Sequence, residues 1–261
     1  MAFIQIHLTS KVLGMDENVW AFIPEIAAFD EPNKKFKVLW FLHGGSGDQT
    51  TGAMGMNLST LATKYNIAVI MPTVHHSCFV DMHMGPKYAT YIGQELPLIL
   101  RAMFPFLSDK REDNIISGFS NGGYGTFHLA LKFPEIFGYG GAFAAGDKAD
   151  ADWSGRMELK EVLFGADDIS QSEYSIRNQA LQLAYSGRVL PKLFHVCGEN
   201  DPWHAMNKLV RECFEGISGN PYEYAYYEVP ERGHDRSCWQ IALEKFIDDY
   251  LKLKPIAGRI F

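Results

Sequence analysis

One serine lies in a pattern that is typical of a strained turn between a strand and a helix. In Gly118-Phe-Ser-Asn-Gly122, Ser120 stands between two glycines, after an apolar run and before a segment with helical periodicity. This arrangement predicts a nucleophile elbow, which exposes the serine hydroxyl above the edge of a sheet. The glycines are needed because Cβ atoms there would clash as strand and helix close on each other. A glycine-rich turn without catalytic role is the alternative, and the flanking strand and helix patterns favour the elbow.

A serine hydroxyl is a useful nucleophile only when a base takes its proton and a third group orients that base. Among downstream histidines, His195 lies inside a strand candidate and is expected to be a core residue, while His204 begins a helix candidate. His234 lies in a turn just after the last strand candidate, where a loop can bring imidazole over the nucleophile. We predict His234 as the base. An ordinary surface-turn histidine is the alternative.

The acid is expected after the preceding strand, because the order in α/β-hydrolases is serine, acid, histidine. The segment Gly198-Glu-Asn-Asp-Pro202 offers Glu199 and Asp201. Proline restricts Asp201 to an extended backbone and fixes its carboxylate in the loop, so we favour Asp201 over Glu199. Asp235 competes only in principle, because adjacent residues seldom orient each other's side chains usefully.

An oxyanion formed at the substrate carbonyl needs two N–H donors. One is expected from Asn121, the residue after the nucleophile, and the other from the glycine-rich loop His43–Gly47 that follows an early strand. We choose the N–H of Gly45 for the second donor, with Gly44 as the near alternative. Such a loop could instead cradle phosphate, but the phosphate-binding patterns G-K-[ST] and G-x-G-x-x-G do not occur in the sequence.

The elements that must position these residues alternate along the chain. Strand candidates are Phe3–Leu8, Val19–Ile23, Phe36–Leu42, Ile67–Met71, Asn114–Gly118, Gly140–Ala145, Lys192–Cys197 and Tyr222–Val229. Helix candidates are Leu58–Tyr65, Tyr88–Phe104, Asn121–Phe133, Trp203–Glu215 and Cys238–Leu253. The first three strands lack intervening helices and predict antiparallel hairpins; the later ones predict a parallel sheet with right-handed crossovers. The whole pattern predicts one α/β domain over residues 1–261, an α/β-hydrolase fold with helices on both faces of the sheet.

Residues 147–190 interrupt the alternation with a polar stretch and a helix candidate that begins near Asp167 and runs through Ala184. We interpret this segment as a cap-like insertion over the carboxyl edge of the sheet, where such folds bind ligands. A connecting helix without substrate contact is the alternative. Phe79, Met82 and Trp203 are predicted to wall a pocket that has room for only a few acyl carbons; simple core aromatics are the alternative for Phe79 and Trp203.

Composition limits the class of partner. A formal charge of −7 and an isoelectric point near 5.7 argue against binding to nucleic acid or to an anionic membrane. No apolar run reaches the ~20 residues of a membrane span, and the amino terminus lacks the pattern of a signal peptide. Four scattered cysteines indicate neither a zinc site nor a disulfide framework. We expect a cytoplasmic enzyme without a metal, acting on a small-molecule ester, and leave open whether it forms a homo-oligomer.

Several of these motifs together resemble the esterase D family. They are Leu42-His-Gly-Gly45 with Gly47, Tyr91-Ile-Gly-Gln-Glu-Leu-Pro97, Gly118-Phe-Ser-Asn-Gly-Gly-Tyr-Gly125, Cys197-Gly-Glu-Asn-Asp201 and Gly233-His234. With the opening Ile4-Gln-Ile-His7 and Ser10-Lys-Val-Leu-Gly-Met15, the match is best to the bacterial tributyrin esterase branch, to which S-formylglutathione hydrolases and feruloyl and acetyl xylan esterases are related.

The resemblance implies a serine hydrolase that needs no cofactor, acts on short acyl esters and uses Ser120, Asp201 and His234 as its triad. An acyltransferase on the same fold, in which an alcohol outcompetes water, is an alternative. Asn121 is a departure, since the family usually has methionine at this position. The oxyanion hole uses only the backbone of this residue, so the chemistry is expected to survive while the rim of the acyl pocket becomes more polar.

Overall fold

The computed structural model describes residues 1–24 and 33–256 of the chain. Within those residues eight strands form one sheet in the order β1-β2-β4-β3-β5-β6-β7-β8. The strands are β1 (Ala2–Ser10), β2 (Met15–Ile23), β3 (Val38–Leu42), β4 (Ala68–Pro72), β5 (Asn114–Phe119), β6 (Tyr139–Phe143), β7 (Lys192–Gly198) and β8 (Ala225–Val229). From β4 across to β8 all neighbours are parallel, while β1 pairs with β2 and β2 with β4 in antiparallel fashion.

The prediction of antiparallel hairpins for the first three strands is right for β1 and β2 and wrong for β3. Strand β3 runs parallel to both of its neighbours, β4 and β5. All five of its residues are buried, from Val38 to Leu42. A strand without a polar face suits the interior of a parallel sheet, which is covered on both sides, rather than a hairpin with one face in water.

Helices cover both faces of the sheet. They are α1 (Gln49–Gly55), α2 (Leu58–Tyr65), α3 (Tyr88–Thr90), α4 (Leu96–Met103), α5 (Asn121–Lys132), α6 (Met157–Phe164), α7 (Ile176–Ala184), α8 (His204–Gly216) and α9 (Arg236–Lys245). Side chains of β3 alternate between two core clusters: Trp40 packs with Phe127 of α5, whereas Phe41 packs in the cluster that holds Leu61 of α2 and Leu243 of α9. The predicted mostly parallel α/β architecture is therefore confirmed.

The helices differ from the sequence prediction in several places. The predicted helix Tyr88–Phe104 is continuous but contains a π-helical turn at Tyr91–Glu95, and a second π turn, Phe246–Tyr250, follows α9. The helix expected from Asp167 begins only at Ile176, because Ser175 caps it by accepting a hydrogen bond from the N–H of Asn178. Helix α1 was not predicted, since its Gln-Thr-Thr-Gly sequence carries no apolar periodicity.

The strand order brings the chemically interesting loops to one edge. The carboxyl ends of β3, β5, β7 and β8 lead into the segments that hold His43, Ser120, Asp201 and His234. Because parallel strands end at the same edge of a sheet, residues far apart in sequence meet there. In the part of the chain that the structure describes, no helix has the length and hydropathy required to cross a membrane.

Candidate active site

Ser120 occupies a strained turn between β5 and α5. Its φ of +57° lies in the left-handed region, which costs a residue other than glycine about 1–3 kcal/mol. Two hydrogen bonds hold Ser120 in this conformation. Its N–H donates to Phe143 O at 2.9 Å, and its carbonyl oxygen accepts from Tyr124 N at 3.0 Å. A Cβ on Gly118 would lie 2.7 Å from the carbonyl oxygens of both Leu42 and Gly122. The glycines are thus required where strand, helix and the end of β3 meet.

The structure brings together the three side chains that the sequence singled out. His234 Nε2 lies 3.0 Å from Ser120 Oγ, and His234 Nδ1 lies 2.7 Å from Asp201 Oδ2. A carboxylate only accepts, so Nδ1–H donates to Asp201, which leaves Nε2 free to accept the proton of the serine hydroxyl. Trp203 and Trp239 contact the imidazole edge-on, with ring centroids 4.5 and 5.1 Å away.

Asp201 is placed to orient His234, whereas Glu199 and Asp235, the other two acids considered, are not. It is only 5% exposed, and its second carboxylate oxygen accepts from Trp203 N at 2.8 Å. Glu199 instead accepts from Glu231 N at 2.8 Å at the exposed surface. Asp235 caps α9 by accepting from the N–H groups of Ser237 and Cys238.

The other two histidines considered as bases lie away from the serine. His195 is fully buried in β7, where it bonds to the hydroxyl of Tyr224 at 2.8 Å and the amide oxygen of Asn207 at 2.9 Å. Burial lowers the pKa of His195 to about 4. His204 pairs with Glu228 at 2.6 Å. The expectation that His195 is a core residue is confirmed.

The glycine loop after β3 is held in place by a buried histidine that the sequence analysis did not single out. His43 Nε2 accepts from Val74 N at 3.2 Å, so its Nδ1 carries the proton and donates to Gly44 O at 2.7 Å. Gly47 N also donates to Gly44 O, at 3.1 Å. In a trans peptide C=O and N–H point in opposite directions. Fixing the Gly44 carbonyl therefore fixes the direction of the Gly45 N–H, and burial keeps His43 neutral by lowering its pKa.

An open cavity of about 990 Å³ surrounds these groups. Ser120, His234, Gly44, Gly45 and Asn121 line it, so the predicted nucleophile, base and oxyanion donors share one space. The chain that follows β6 contributes a further wall through Lys148, Asp150, Ala151, Asp152, Trp153, Arg156, Leu159 and Leu163. Helix α6 of this wall is anchored to the loop after β4, since His83 N and Met84 N donate to Leu163 O and Val162 O, both at 3.0 Å.

The prediction of the pocket walls is wrong for two of three residues. Phe79 is 1% exposed and packs against the ring of His43, at a centroid distance of 5.2 Å, outside the cavity lining. Cys78 and Phe79 both have positive φ, and in this turn Cys78 lines the cavity while the phenyl ring lies in the core. Met82 is half-buried against the core and also lies outside the lining. Trp203, 49% exposed, does line the cavity.

Lys148 is a lining residue that no sequence pattern indicated. Its ammonium donates to Asn121 Oδ1 at 2.6 Å and lies 5.1 Å from the centroid of the Tyr124 ring. Asn121 is a departure from the pattern that the motifs resemble, and its partner lies 27 residues further along the chain, beyond the reach of any local pattern. Burial raises the pKa of the Cys78 thiol, and the charges of Lys148 and Arg156 oppose this shift. Among the described residues, no cluster of three or more potential metal ligands occurs.

Comparison with known proteins identifies the family to which the chain belongs. A family model described as "Putative esterase" matches residues 10–249. An acetyl esterase of Caldicellulosiruptor saccharolyticus is 27% identical over 259 residues, covering 92% of this chain and 94% of the relative. A fluorophosphonate-binding serine hydrolase of Staphylococcus aureus superposes with a TM-score of 0.85 at 29% identity, covering 94% of this chain and 96% of that one.

A solved S-formylglutathione hydrolase, also from Staphylococcus aureus, is 30% identical, with a TM-score of 0.82 and coverage of 94% of this chain and 97% of that chain. These similarities extend over nearly the full length of the chain, including every strand that leads into the cavity. With the α/β-hydrolase fold and the family match over residues 10–249, the chain belongs to this esterase family, of the esterase D type, and is a carboxylesterase.

Proposed function

We propose that the chain hydrolyses short-chain acyl esters through an acyl-enzyme formed on Ser120, with His234 as general base and then general acid and Asp201 as the orienting acid. The observation that carries this proposal is the hydrogen-bonded chain Ser120–His234–Asp201, with its two bonds of 3.0 and 2.7 Å. Both distances are within the range that proton transfer requires.

In this mechanism Ser120 Oγ attacks the ester carbonyl as its proton passes to His234 Nε2. Asp201 holds the imidazole in the Nδ1–H tautomer and stabilises the imidazolium that forms. The N–H groups of Gly45 and Asn121 bind the oxyanion, and the latter also stands at the positive end of the α5 dipole. His234 then protonates the leaving alcohol. Water attacks the acyl-enzyme while His234 takes its proton, and His234 returns that proton to Ser120 Oγ as the carboxylic acid leaves.

The restriction to short acyl groups rests on a different reason from the one that the sequence suggested. Phe79 and Met82 do not line the cavity, so they do not limit chain length. Lys148 does line it, beside Asn121, and a long apolar chain would strip water from its ammonium without replacing the lost hydrogen bonds. Acetyl to butyryl groups fit without that cost, in keeping with the tributyrin esterase branch that the motifs resemble.

The segment 147–190 enters the proposal as a small cap that contributes a cavity wall rather than as a separate domain, within one domain spanning the chain. It contains α6, α7 and two short 3₁₀ turns, Lys148–Asp150 and Ile169–Gln171. A small-molecule ester as partner and a cytoplasmic location stay predictions, and a homo-oligomer is left open as before.

Steady-state hydrolysis of p-nitrophenyl acetate by the wild type and by Ser120→Ala tests the proposal. Because the mechanism passes through Ser120 Oγ, kcat should fall by about 10³-fold or more in the variant. Circular dichroism and thermal unfolding check that the variant remains folded. Turnover near that of the wild type in a folded variant would refute the serine mechanism.

Hydrolysis of S-formylglutathione is the second candidate function, because a protein of that name is 30% identical over nearly the whole chain. A panel of tributyrin, p-nitrophenyl butyrate, an acetylated sugar, a feruloyl ester and S-formylglutathione would rank the alternatives by kcat/KM. Addition of alcohols to the same assays would detect an acyltransferase, since transfer to alcohol would then exceed hydrolysis.

A further inference from the structure

The two sides of Ser120 differ in chemistry. His234 must protonate the leaving oxygen, so the alcohol part of an ester lies on the imidazole side, beside Trp203 and Trp239. The acyl part then extends away from His234. Asn121 and the wall after β6 line the same cavity as Ser120, and the group held by Asn121 is the ammonium of Lys148.

Lys148 is fixed in place and has hydrogen-bonding capacity left over. An ammonium has three N–H donors. Asn121 Oδ1 accepts one of them at 2.6 Å, and the ring of Tyr124 lies 5.1 Å from Nζ. Within residues 1–24 and 33–256 the ammonium makes no other hydrogen bond or ion pair, so its remaining N–H groups can turn to a ligand in the cavity.

The acids nearest to Lys148 in sequence are engaged elsewhere. Asp147 is fully buried and accepts from Ser175 Oγ at 2.8 Å and from Arg177 N at 3.1 Å. Asp150 pairs with Arg177 at 2.6 Å. Arg177 thus holds both carboxylates that flank the lysine and leaves its ammonium without an ion-pair partner.

The charges that line the cavity favour an anion overall. Three cations, Lys148, Arg156 and Arg236, face two carboxylates, Asp150 and Asp152. Asp150 is the acid paired with Arg177, and Asp152 is exposed and accepts from Ser154 N at 2.9 Å. This excess of positive charge contrasts with the net charge of −7 of the whole chain.

We propose that Lys148, held by Asn121, is a specificity-determining residue that binds a carboxylate at the far end of the acyl group, so that the substrates are hemiesters of short dicarboxylic acids such as succinic or glutaric acid. This inference rests on the proposed function, because it names the acyl class of the same site. A carboxylate accepts the free N–H groups of an ammonium in a charge-assisted hydrogen bond, which a neutral acyl chain cannot provide.

Matched substrates that differ only in charge test this inference. Monobenzyl succinate and benzyl succinamate have nearly the same size, and only the first carries a carboxylate; monobenzyl glutarate and benzyl glutaramate form the longer pair. Benzyl esters are used because the carboxylate of an aryl hemisuccinate attacks its own ester. Released benzyl alcohol is quantified chromatographically, and the readout is the ratio of kcat/KM for the acid to that for the amide.

In at least one pair the wild type should prefer the acid, and Lys148→Met should lower the ratio by about 10- to 100-fold, as expected for the loss of a hydrogen bond between charged groups. Asn121→Met should lower the ratio by roughly 3- to 10-fold, because Lys148 then loses its hydrogen-bond partner while keeping its charge. Added salt should also reduce the wild-type ratio. A merely structural role of Lys148 would lower both kcat/KM values and leave their ratio unchanged.

Arg236→Gln is the matched control, since it removes one positive charge from the same cavity next to the catalytic loop that holds His234. It should change the ratio by less than about threefold, because its charge acts only at long range. A wild type that shows no preference for the acid in either pair, or a Lys148→Met ratio equal to that of the wild type, would overturn the inference. Hydrolysis of p-nitrophenyl acetate that depends on Ser120 would then leave the esterase function standing, whereas its absence would refute the proposed function itself.

Discussion

The sheet edge and the wall after β6 both line the cavity but are built by different means. At the sheet edge the functional groups are fixed by backbone: Ser120 by a left-handed turn, the Gly45 N–H by the anchored carbonyl of Gly44, and Asp201 by the loop before α8. The wall is formed by side chains on short segments. One of them is Lys148, which is held by the amide of Asn121 and the ring of Tyr124.

This contrast separates two properties of the enzyme. Backbone geometry requires particular residue types at particular spacings, so the reactive groups leave a pattern in the sequence. Side chains that project from short helical turns leave none, because many residue types fit there and their partners lie on other segments. We therefore expect variants at the sheet edge to lower turnover of every ester, and variants of the wall to change which ester is preferred.

The largest effect expected at the sheet edge, apart from loss of the nucleophile, concerns the acid. Asp201→Asn should lower kcat by about 10²- to 10⁴-fold, because an amide can donate to Nδ1 and favours the wrong imidazole tautomer. Glu199→Gln is the matched control, since this neighbour bonds to Glu231 N and not to imidazole. Kinetics with p-nitrophenyl butyrate measure both, and a greater loss in Glu199→Gln would reverse the assignment.

The next effect concerns the support of the oxyanion loop. His43→Leu removes the donor to Gly44 O and should lower kcat by about 10- to 100-fold, less than the loss of a whole oxyanion donor, because the Gly45 N–H remains but is no longer held. His43→Asn should keep more activity, since its amide nitrogen can occupy the place of Nδ1. Equal losses of kcat in the two variants, with both still folded, would show that the hydrogen bond to Gly44 does not matter.

On the wall, the acyl-chain preference should change while turnover of the best substrate changes little by comparison. Across p-nitrophenyl esters of two to twelve carbons, the wild type should have its highest kcat/KM at acetyl to butyryl. Lys148→Met should raise the octanoyl-to-butyryl ratio by roughly tenfold, because a methionine side chain accepts an apolar chain without losing hydrogen bonds. A wild-type optimum at eight carbons or longer would refute this description of the acyl side.

A last effect falls on stability rather than on turnover or substrate preference. Burial lowers the pKa values of His128 and His195 to about 4, below the ~6.5 of an unfolded chain. The unfolded state therefore binds more protons between these values, so stability is complete above pH 7 and is lost as the pH falls. At pH 5 each histidine should cost roughly 2 kcal/mol of unfolding free energy. Urea unfolding at pH 7.5 and 5.0 measures this loss.

His195→Gln, which cannot be protonated, serves as the control for that measurement. The difference in unfolding free energy between the two pH values should shrink by roughly 2 kcal/mol in this variant. An unchanged difference would mean that His195 does not contribute to the sensitivity to acid.

The functional groups at the sheet edge could be predicted from the sequence, because the requirements for placing them are local. The glycines around Ser120, the proline after Asp201 and the turn that holds His234 each follow from short-range sterics. Sequence reasoning predicted the wrong pairing direction for β3, because the pairing of a fully buried strand depends on the rest of the sheet. It also misassigned Phe79, since two consecutive residues with positive φ reverse which side chain of that loop lines the cavity. The hydrogen bond between Lys148 and Asn121 joins the segments before and after β6, and no local sequence pattern predicts it.

The central claim is that Ser120 forms the acyl-enzyme. Acid quenching of the reaction with p-nitrophenyl acetate within the first turnover, followed by peptide mass spectrometry, tests this most directly. We expect a burst of p-nitrophenol close to one equivalent per active site and an acetyl group on the peptide that contains Ser120, with both absent in Ser120→Ala. An acetyl group on another residue, or a burst that persists in Ser120→Ala, would contradict it.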